Sequence, residues 1–303
     1  MLYKSAVTAI VVAAAVQSFT VGVLSKKLSL DLCRPGAEAT RSLNFAAAKS
    51  LKLSNADGAV HVQVAPGDTM TLEASIKAYS PDQATQPVAQ QYVTGLVVAK
   101  QEGGAVEVVT EPGLRPDEID LRVDYVIGVP AGTDVTIDGS NGNVFVDKGC
   151  DDVTVQGNNA DIEIADPAGT VRAKTANGRI RILNAAKDTV VETVNGSIYA
   201  TVSGGGLKAT TANGSIVTTL AQPSVQSCDL TAMNGGITLL LAAGCSVEVD
   251  ATTGRGTVRS DLPVTAPTGQ SKRRELRGRI GTGETKLNLS SLNGNISIAR
   301  SDS

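Results

Sequence analysis

Tryptophan is absent from this sequence, and only three Phe and one His occur among its 303 residues. With aromatics at 3%, a core of stacked rings is excluded, and the interior has to be built from Val, Ile, Leu and Ala. The single imidazole, His61, sits between Val60 and Val62 and faces outward, which reads as a surface residue. It leaves metal catalysis without a second imidazole and gives Ser/His/Asp chemistry nothing to build on. Neither a Gly-x-Ser-x-Gly elbow nor a Walker phosphate loop is present. Charge of one sign is lacking as well: 27 Lys and Arg stand against 30 Asp and Glu, a formal net charge of −3. No global field draws in a polyanion, so nucleic acid is disfavoured as a partner. Nothing in this inventory calls for a cofactor, a resident metal or a catalytic group.

What the sequence does have is a corner that keeps returning. Asn141-Gly142, Asn159-Ala160, Asn177-Gly178, Asn195-Gly196 and Asn213-Gly214 follow one another every 18 residues. Asn234-Gly235 comes after 21, Thr253-Gly254 after a further 19, and an isolated copy, Asn293-Gly294, closes the chain. A fixed period of this length marks a solenoid.

Apolar residues keep step with the corner. Three positions past each Asn stand Val144, Ile162, Ile180, Ile198, Ile216, Ile237 and Ile296, and five past it Val146, Ile164, Ile182, Ala200, Thr218, Leu239 and Ile298. Side chains alternate faces along a strand, so these point one way. A second alternating set precedes each corner, as in Val153 and Val155 or Val171 and Ala173. Each repeat thus carries two short strands and has no room for a crossover helix. The fold class is all-β: a parallel β-solenoid of two-strand turns with an 18-residue period. A β-rich N-terminal cap and a C-terminal closing hairpin complete it. The corner Gly is expected to supply a positive φ; at Asn159-Ala160 that role passes to Asn158, Asn159 or Gly157.

Residues 1–30 read as a signal peptide or membrane anchor, with Lys4 ahead of an uncharged run and Lys26 and Lys27 behind it. Residues 40–135 form the N-terminal β cap region, 136–260 the repeats and 261–303 the C-terminal cap. Within the first cap, strands are expected at Thr69 to Ala78, Ala105 to Thr110 and Leu121 to Val129, with Ser80 to Gln91 as a short helix or loop. Of four cysteines, Cys33, Cys150, Cys228 and Cys245, the last two lie 17 residues apart. They are either a disulfide between neighbouring coils or two small buried hydrophobes.

Outward positions can be read turn by turn. Asp161 faces Arg179 and Glu163 faces Arg181 on consecutive turns, with Tyr199 one turn further on. This is either an ion-pair ladder that fixes register or a sugar-binding strip with Tyr199 as its platform. Lys272, Arg273, Arg274, Arg277 and Arg279 form the dense basic run, a solvated cap loop or a patch for anionic lipid or acidic envelope polymers. The acidic stretch Asp117, Glu118 and Asp120 lacks the spacing of calcium-binding β-rolls and reads as a polar turn.

The segment VPAGTDVTIDGSNGNVFV and the ending TTGRGTVRSDLPV…RRELRGRIGTGETKLNLSSLNGNISIA, together with the corner-and-strand units, resemble bacterial proteins of the DUF4097 family, described as candidate adhesins. The resemblance covers roughly residues 45 to 300. It implies a β-solenoid on the outer side of the bacterial cytoplasmic membrane, exported to the periplasm, the cell surface or an anchored position there. It brings no catalytic residues. The reading that results is a non-enzymatic envelope scaffold or adhesion module with a glycan or protein partner and a membrane contact through the N-terminal segment. A polysaccharide-acting β-helix enzyme and an envelope stress or regulatory protein are the alternatives.

Overall fold

The computed structural model describes residues 18–22, 37–46, 48–79, 93, 96–110, 120–265 and 271–301. Cys33, Asp117, Glu118, the segment Ser80 to Gln91 and most of residues 1–30 lie outside them.

Alternation in the sequence becomes a buried file. Ile162, Ile180, Ile198 and Ile216 are each 0–1% exposed, stacked by parallel pairing in which Ile162, Ile180, Ile198 and Ile216 are successive partners. The second alternating set faces them: Val153, Val171, Val191, Leu207, Cys228 and Leu230 are buried. Polar and charged residues between them point out, as the alternation of side chains along a strand requires.

The N-terminal elements are β1 (Ser18–Gly22), β2 (Ala37–Ala46), β3 (Ser50–Asp57), β4 (Val60–Val64), β5 (Thr69–Tyr79), β6 (Val97–Glu102), β7 (Ala105–Thr110) and β8 (Asp120–Val129). Uniform coils follow: β9 (Asp134–Asn141) with β10 (Val144–Val146), β11 (Val153–Asn159) with β12 (Ile162–Ala165), and β13 (Val171–Asn177) with β14 (Ile180–Ala185). They continue as β15 (Thr189–Asn195) with β16 (Ile198–Val202), β17 (Gly205–Asn213) with β18 (Ile216–Leu220), and β19 (Val225–Asn234) with β20 (Ile237–Leu241). Last come β21 (Val247–Arg255), β22 (Val258–Ser260), β23 (Ser271–Lys272), β24 (Glu275–Ile280), β25 (Thr285–Asn293) and β26 (Ile296–Arg300).

These strands form two 13-stranded sheets. Sheet I runs β1-β2-β5-β8-β4-β10-β12-β14-β16-β18-β20-β26-β22, and sheet II runs β23-β24-β21-β25-β19-β17-β15-β13-β11-β9-β3-β7-β6. Each coil puts one strand in each sheet, and the aliphatic interior lies between. No helix occurs among the described residues. The β1 strand falls inside the uncharged N-terminal run and pairs antiparallel with β2 at the edge of sheet I.

At the corners the asparagines form a ladder. Asn159, Asn177, Asn195, Asn213, Asn234 and Asn293 each donate Nδ2–H to the Oδ1 of the asparagine one coil below, at 2.6–2.8 Å. The glycines beside them answer to two different constraints. Gly178 has a φ of 148° and Gly142 one of 130°, in keeping with the expected positive φ. Gly196, Gly214 and Gly235 do not share it. They are glycine because an added Cβ would lie 1.8–1.9 Å from the carbonyl oxygen of the glycine below.

The corner at Asn159-Ala160 also departs from expectation. Asp166 and Asn184 are the non-glycine residues of positive φ among those described, and Gly157 is not among the positive-φ glycines. No residue there turns left-handed. The Ala160 methyl is buried instead, 2% exposed, and fills the space that Gly157 leaves, where a Cβ would come 2.7 Å from it.

Both ends of the stack are interlocked. The coil β3–β4 lies directly against β9–β10, while β7 and β8 pair with its other side. At the far end β25 and β26 sit between β19–β20 and β21–β22. The closing Asn293-Gly294 unit is therefore an inner coil, not a terminal cap. Its neighbour turns at Arg255-Gly256, since Arg255 pairs with Asn293, so the corner expected at Thr253-Gly254 shifts by two residues. Thr253 stands where other coils place a Thr, its hydroxyl donating to the Gly294 carbonyl at 2.7 Å. The expected closing hairpin is present as β23–β24, with β24 antiparallel to β21 and β23 on the edge of sheet II.

Cys150, Cys228 and Cys245 are free thiols. Burial raises the Cys228 thiol, and burial with Asp147 nearby raises Cys150 to about 11. At the N-terminal end Tyr125 is buried and its phenol is pushed up to about 12 by burial, against the hydrogen bond to Thr110. Thr110 in turn donates to Asn55 at 3.0 Å. Arg41 points inward and donates to the Val97 carbonyl across the two sheets, a charge that blunts an otherwise open end.

Candidate functional site

Register turns the sequence spacing into a surface. On the outer face of sheet I, Val126, His61, Phe145, Glu163, Arg181, Tyr199 and Val217 stand side by side on successive strands. Strands in a sheet lie about 4.8 Å apart, so neighbouring side chains touch. Phe145 and Tyr199 are 39% and 41% exposed, unusual for rings in so aromatic-poor a chain. His61 meets Phe145 edge-on, ring centres 6.3 Å apart, and its Nε2 lies 3.1 Å from Asp147.

The predicted strip is brought together, with its pairings rearranged. Arg181 stands 3.8 Å from Glu163, as the ladder expects. Asp161 instead accepts the backbone N–H of Arg179 at 2.7 Å, because a residue two past the corner leans along the turn and not across the strand. The Arg179 guanidinium is thus released to lie over the Tyr199 ring, 6.0 Å from its centre, a cation–π arrangement. Between these groups runs a shallow groove of about 360 Å³, lined by Arg179, Arg181, Leu183, Tyr199, Thr201, Val217 and Thr219. Leu183, Thr201, Val217 and Thr219 were not singled out from the sequence. They follow from the same arithmetic: Val217 lies one period beyond Tyr199, and Leu183, Thr201 and Thr219 are the next outward positions, two residues past Arg181, Tyr199 and Val217.

The arrangement offers an exposed ring, two guanidiniums and two threonine hydroxyls along one flat row. It can stack on an apolar ring face and donate hydrogen bonds beside it. Of the two carboxylates, Asp161 accepts a backbone N–H and Glu163 faces the Arg181 guanidinium.

The basic run divides. Arg277 pairs with Asp250 and Glu275 at 3.3 and 3.1 Å, and Arg279 with Glu248 at 3.6 Å, because β24 runs antiparallel along the acidic face of β21. These two arginines, each paired with a carboxylate, line a groove of about 750 Å³ with Lys286 and Asn288. Lys272, Arg273 and Arg274 lie apart, exposed at the β23–β24 turn. Among the described residues no group of three or more His, Cys, Asp or Glu could hold a metal ion. The corner residues Asn141, Asn159, Asn177, Gly178, Asn195, Gly196, Asn213, Gly214, Asn234 and Gly235 are structural in the way the ladder shows.

No curated protein matches this sequence. Among solved structures, a "putative adhesin" from Bacteroides fragilis is similar at 10% identity, covering 86% of this chain and 97% of that one, with a TM-score of 0.43. Another "putative adhesin", from Parabacteroides merdae, is similar at 8% identity over 86% of this chain and 95% of that one, TM-score 0.38. A "putative cell adhesion protein" from Clostridium sporogenes is similar at 10% identity over 94% of this chain and all of that one, TM-score 0.30. A family model described as Toastrack DUF4097 matches residues 119–299. That span takes in every uniform coil and both interlocked C-terminal coils, more than half of the sequence, and the chain belongs to the Toastrack DUF4097 family.

Proposed function

We propose that this protein is a non-catalytic binding module of the bacterial cell envelope, exported and presenting the outer face of sheet I to a linear glycan. The observation that carries the reading is the Tyr199 ring, exposed beside a long shallow groove and flanked by Arg179 and Arg181. A flat aromatic face stacks on the apolar face of a sugar ring, and guanidinium donors reach its hydroxyls. Because the groove is open and the row is repetitive, it suits several residues of a polymer lying across strands. The family supports a binding role over a catalytic one, and Asp161 and Glu163 are spent on register contacts.

The test is retention on an array of envelope glycans. Wild type is expected to bind a linear polymer. Tyr199→Ala is expected to weaken that binding about tenfold, roughly 1.5 kcal/mol of stacking, with an unchanged melting temperature because the ring is exposed. Equal retention by Tyr199→Ala, or cleavage of the bound polymer, would overturn the reading.

A further inference from the structure

At the C-terminal end the outermost coil, β21 and β22, turns at Arg255, and the β23–β24 turn folds across it. The carbonyls of Arg273 and Arg274 accept the N–H groups of Val258 and Thr253. Those two bonds hold the turn against the corner, so Arg255, Arg259, Lys272, Arg273 and Arg274 surround one end of the rod. All five are exposed. Among the described residues none of them forms an ion pair, whereas Arg277 and Arg279 on the next strand do. A chain of net charge −3 therefore concentrates unmatched positive charge at a single pole.

A second observation adjoins the first. The position before the corner asparagine is apolar on five stacked coils, Ala176, Val194, Ala212, Met233 and Leu292 in stacking order. Val194, Met233 and Leu292 are 48%, 50% and 53% exposed. The file ends at the basic pole: the Leu292 side chain reaches toward Gly254, where a Cβ would be 3.2 Å from Leu292 Cδ1, and Arg255 is the next residue.

We propose that this pole docks on an anionic lipid bilayer, with the five cations at the headgroups and Leu292 and Met233 in the outer acyl region. Basic side chains at a membrane surface act additively, each strengthening association roughly fivefold. Exposed Leu and Met add burial at the headgroup boundary. A soluble polyanion would reward the cations alone and leave Leu292 and Met233 in water, which is why a bilayer is the occupant the pairing favours. The surface is separate from the groove on sheet I.

The chain has no tryptophan, so Leu292→Trp in the full-length protein provides a lone reporter at the site. Its emission is expected to shift to the blue with vesicles rich in phosphatidylglycerol, to stay put with phosphatidylcholine alone, and to revert in molar salt. Adding Arg273→Ser and Arg274→Ser in the same background is expected to weaken partitioning roughly thirtyfold without lowering the melting temperature, while Tyr199→Ala, which weakens glycan binding, leaves vesicle partitioning as it was. The proposal is overturned by an unshifted reporter on sedimented vesicles, which would place attachment elsewhere. It is equally overturned by a shift produced by a soluble acidic polysaccharide without lipid, or by raising protein concentration alone, which would mark a second copy as the occupant.

Discussion

A single added methyl group separates the corner glycines from a glycine such as Gly67. At Gly214 an added Cβ would lie 1.9 Å from the Gly196 carbonyl oxygen, and at Gly178 it would lie 2.0 Å from that of Ala160 on a backbone already at φ 148°. Backbone cannot step aside as the tip of a flexible side chain can. Gly214→Ala and Gly178→Val are accordingly expected to cost about 3 kcal/mol or more, as overpacking does. Gly67 is the comparison: its φ is 96° but nothing lies within 4 Å of a Cβ there, so Gly67→Ala is expected to cost about 1 kcal/mol from conformation alone. Urea unfolding of the three variants checks the ranking, and a Gly214→Ala midpoint above that of Gly67→Ala would contradict it.

Among elements, the asparagine ladder decides register, and it has a direction. Every amide donates toward the N-terminal end, so the ladder needs an acceptor below Asn141 and a donor above Asn293. Register places Asp57 beside Asn141 and Arg255 beside Asn293, an acceptor-only group and a donor-only group at the matching ends. Removing a middle rung by Asn195→Ala deletes two hydrogen bonds and is expected to cost about 1–2 kcal/mol by chemical denaturation, with the fold retained. The 18-residue spacing made these corners and the buried Ile file legible in the sequence, because period and strand alternation are local properties. The place of β25 and β26 was not legible. Consecutive elements stack in sequence order by default, and it is the pairing of β25 with both β19 and β21 that puts Asn293 inside the stack and Arg255 outside it, in keeping with the ladder's polarity. The same division runs through the candidate site. The neighbours Glu163, Arg181 and Tyr199 follow from spacing. The turning of Arg179 onto Tyr199 and the neutralisation of Arg277 depend on a side-chain lean and an antiparallel pairing that no period encodes.

Taken whole, the described residues form a rod whose first and last two-strand coils in sequence are held inside the stack. The first coil, β3–β4, and the last, β25–β26, are each bonded on both sides, and the exposed edges are left to short or antiparallel strands such as β6, β22 and β23. Stability in a solenoid propagates between nearest neighbours, so this arrangement spares the terminal coils from fraying and keeps sheet I a rigid frame for its row of side chains. A glycan lying across strands needs that frame, since each contact comes from a different coil. Native-state hydrogen exchange tests it most directly. The amides of Thr285–Asn293 and Ile296–Arg300 are expected to exchange as slowly as those of Val171–Asn177, and those of Val97–Glu102 and Val258–Ser260 faster. Rapid exchange across residues 285–300, with protection at Val258–Ser260, would contradict the interlocked rod.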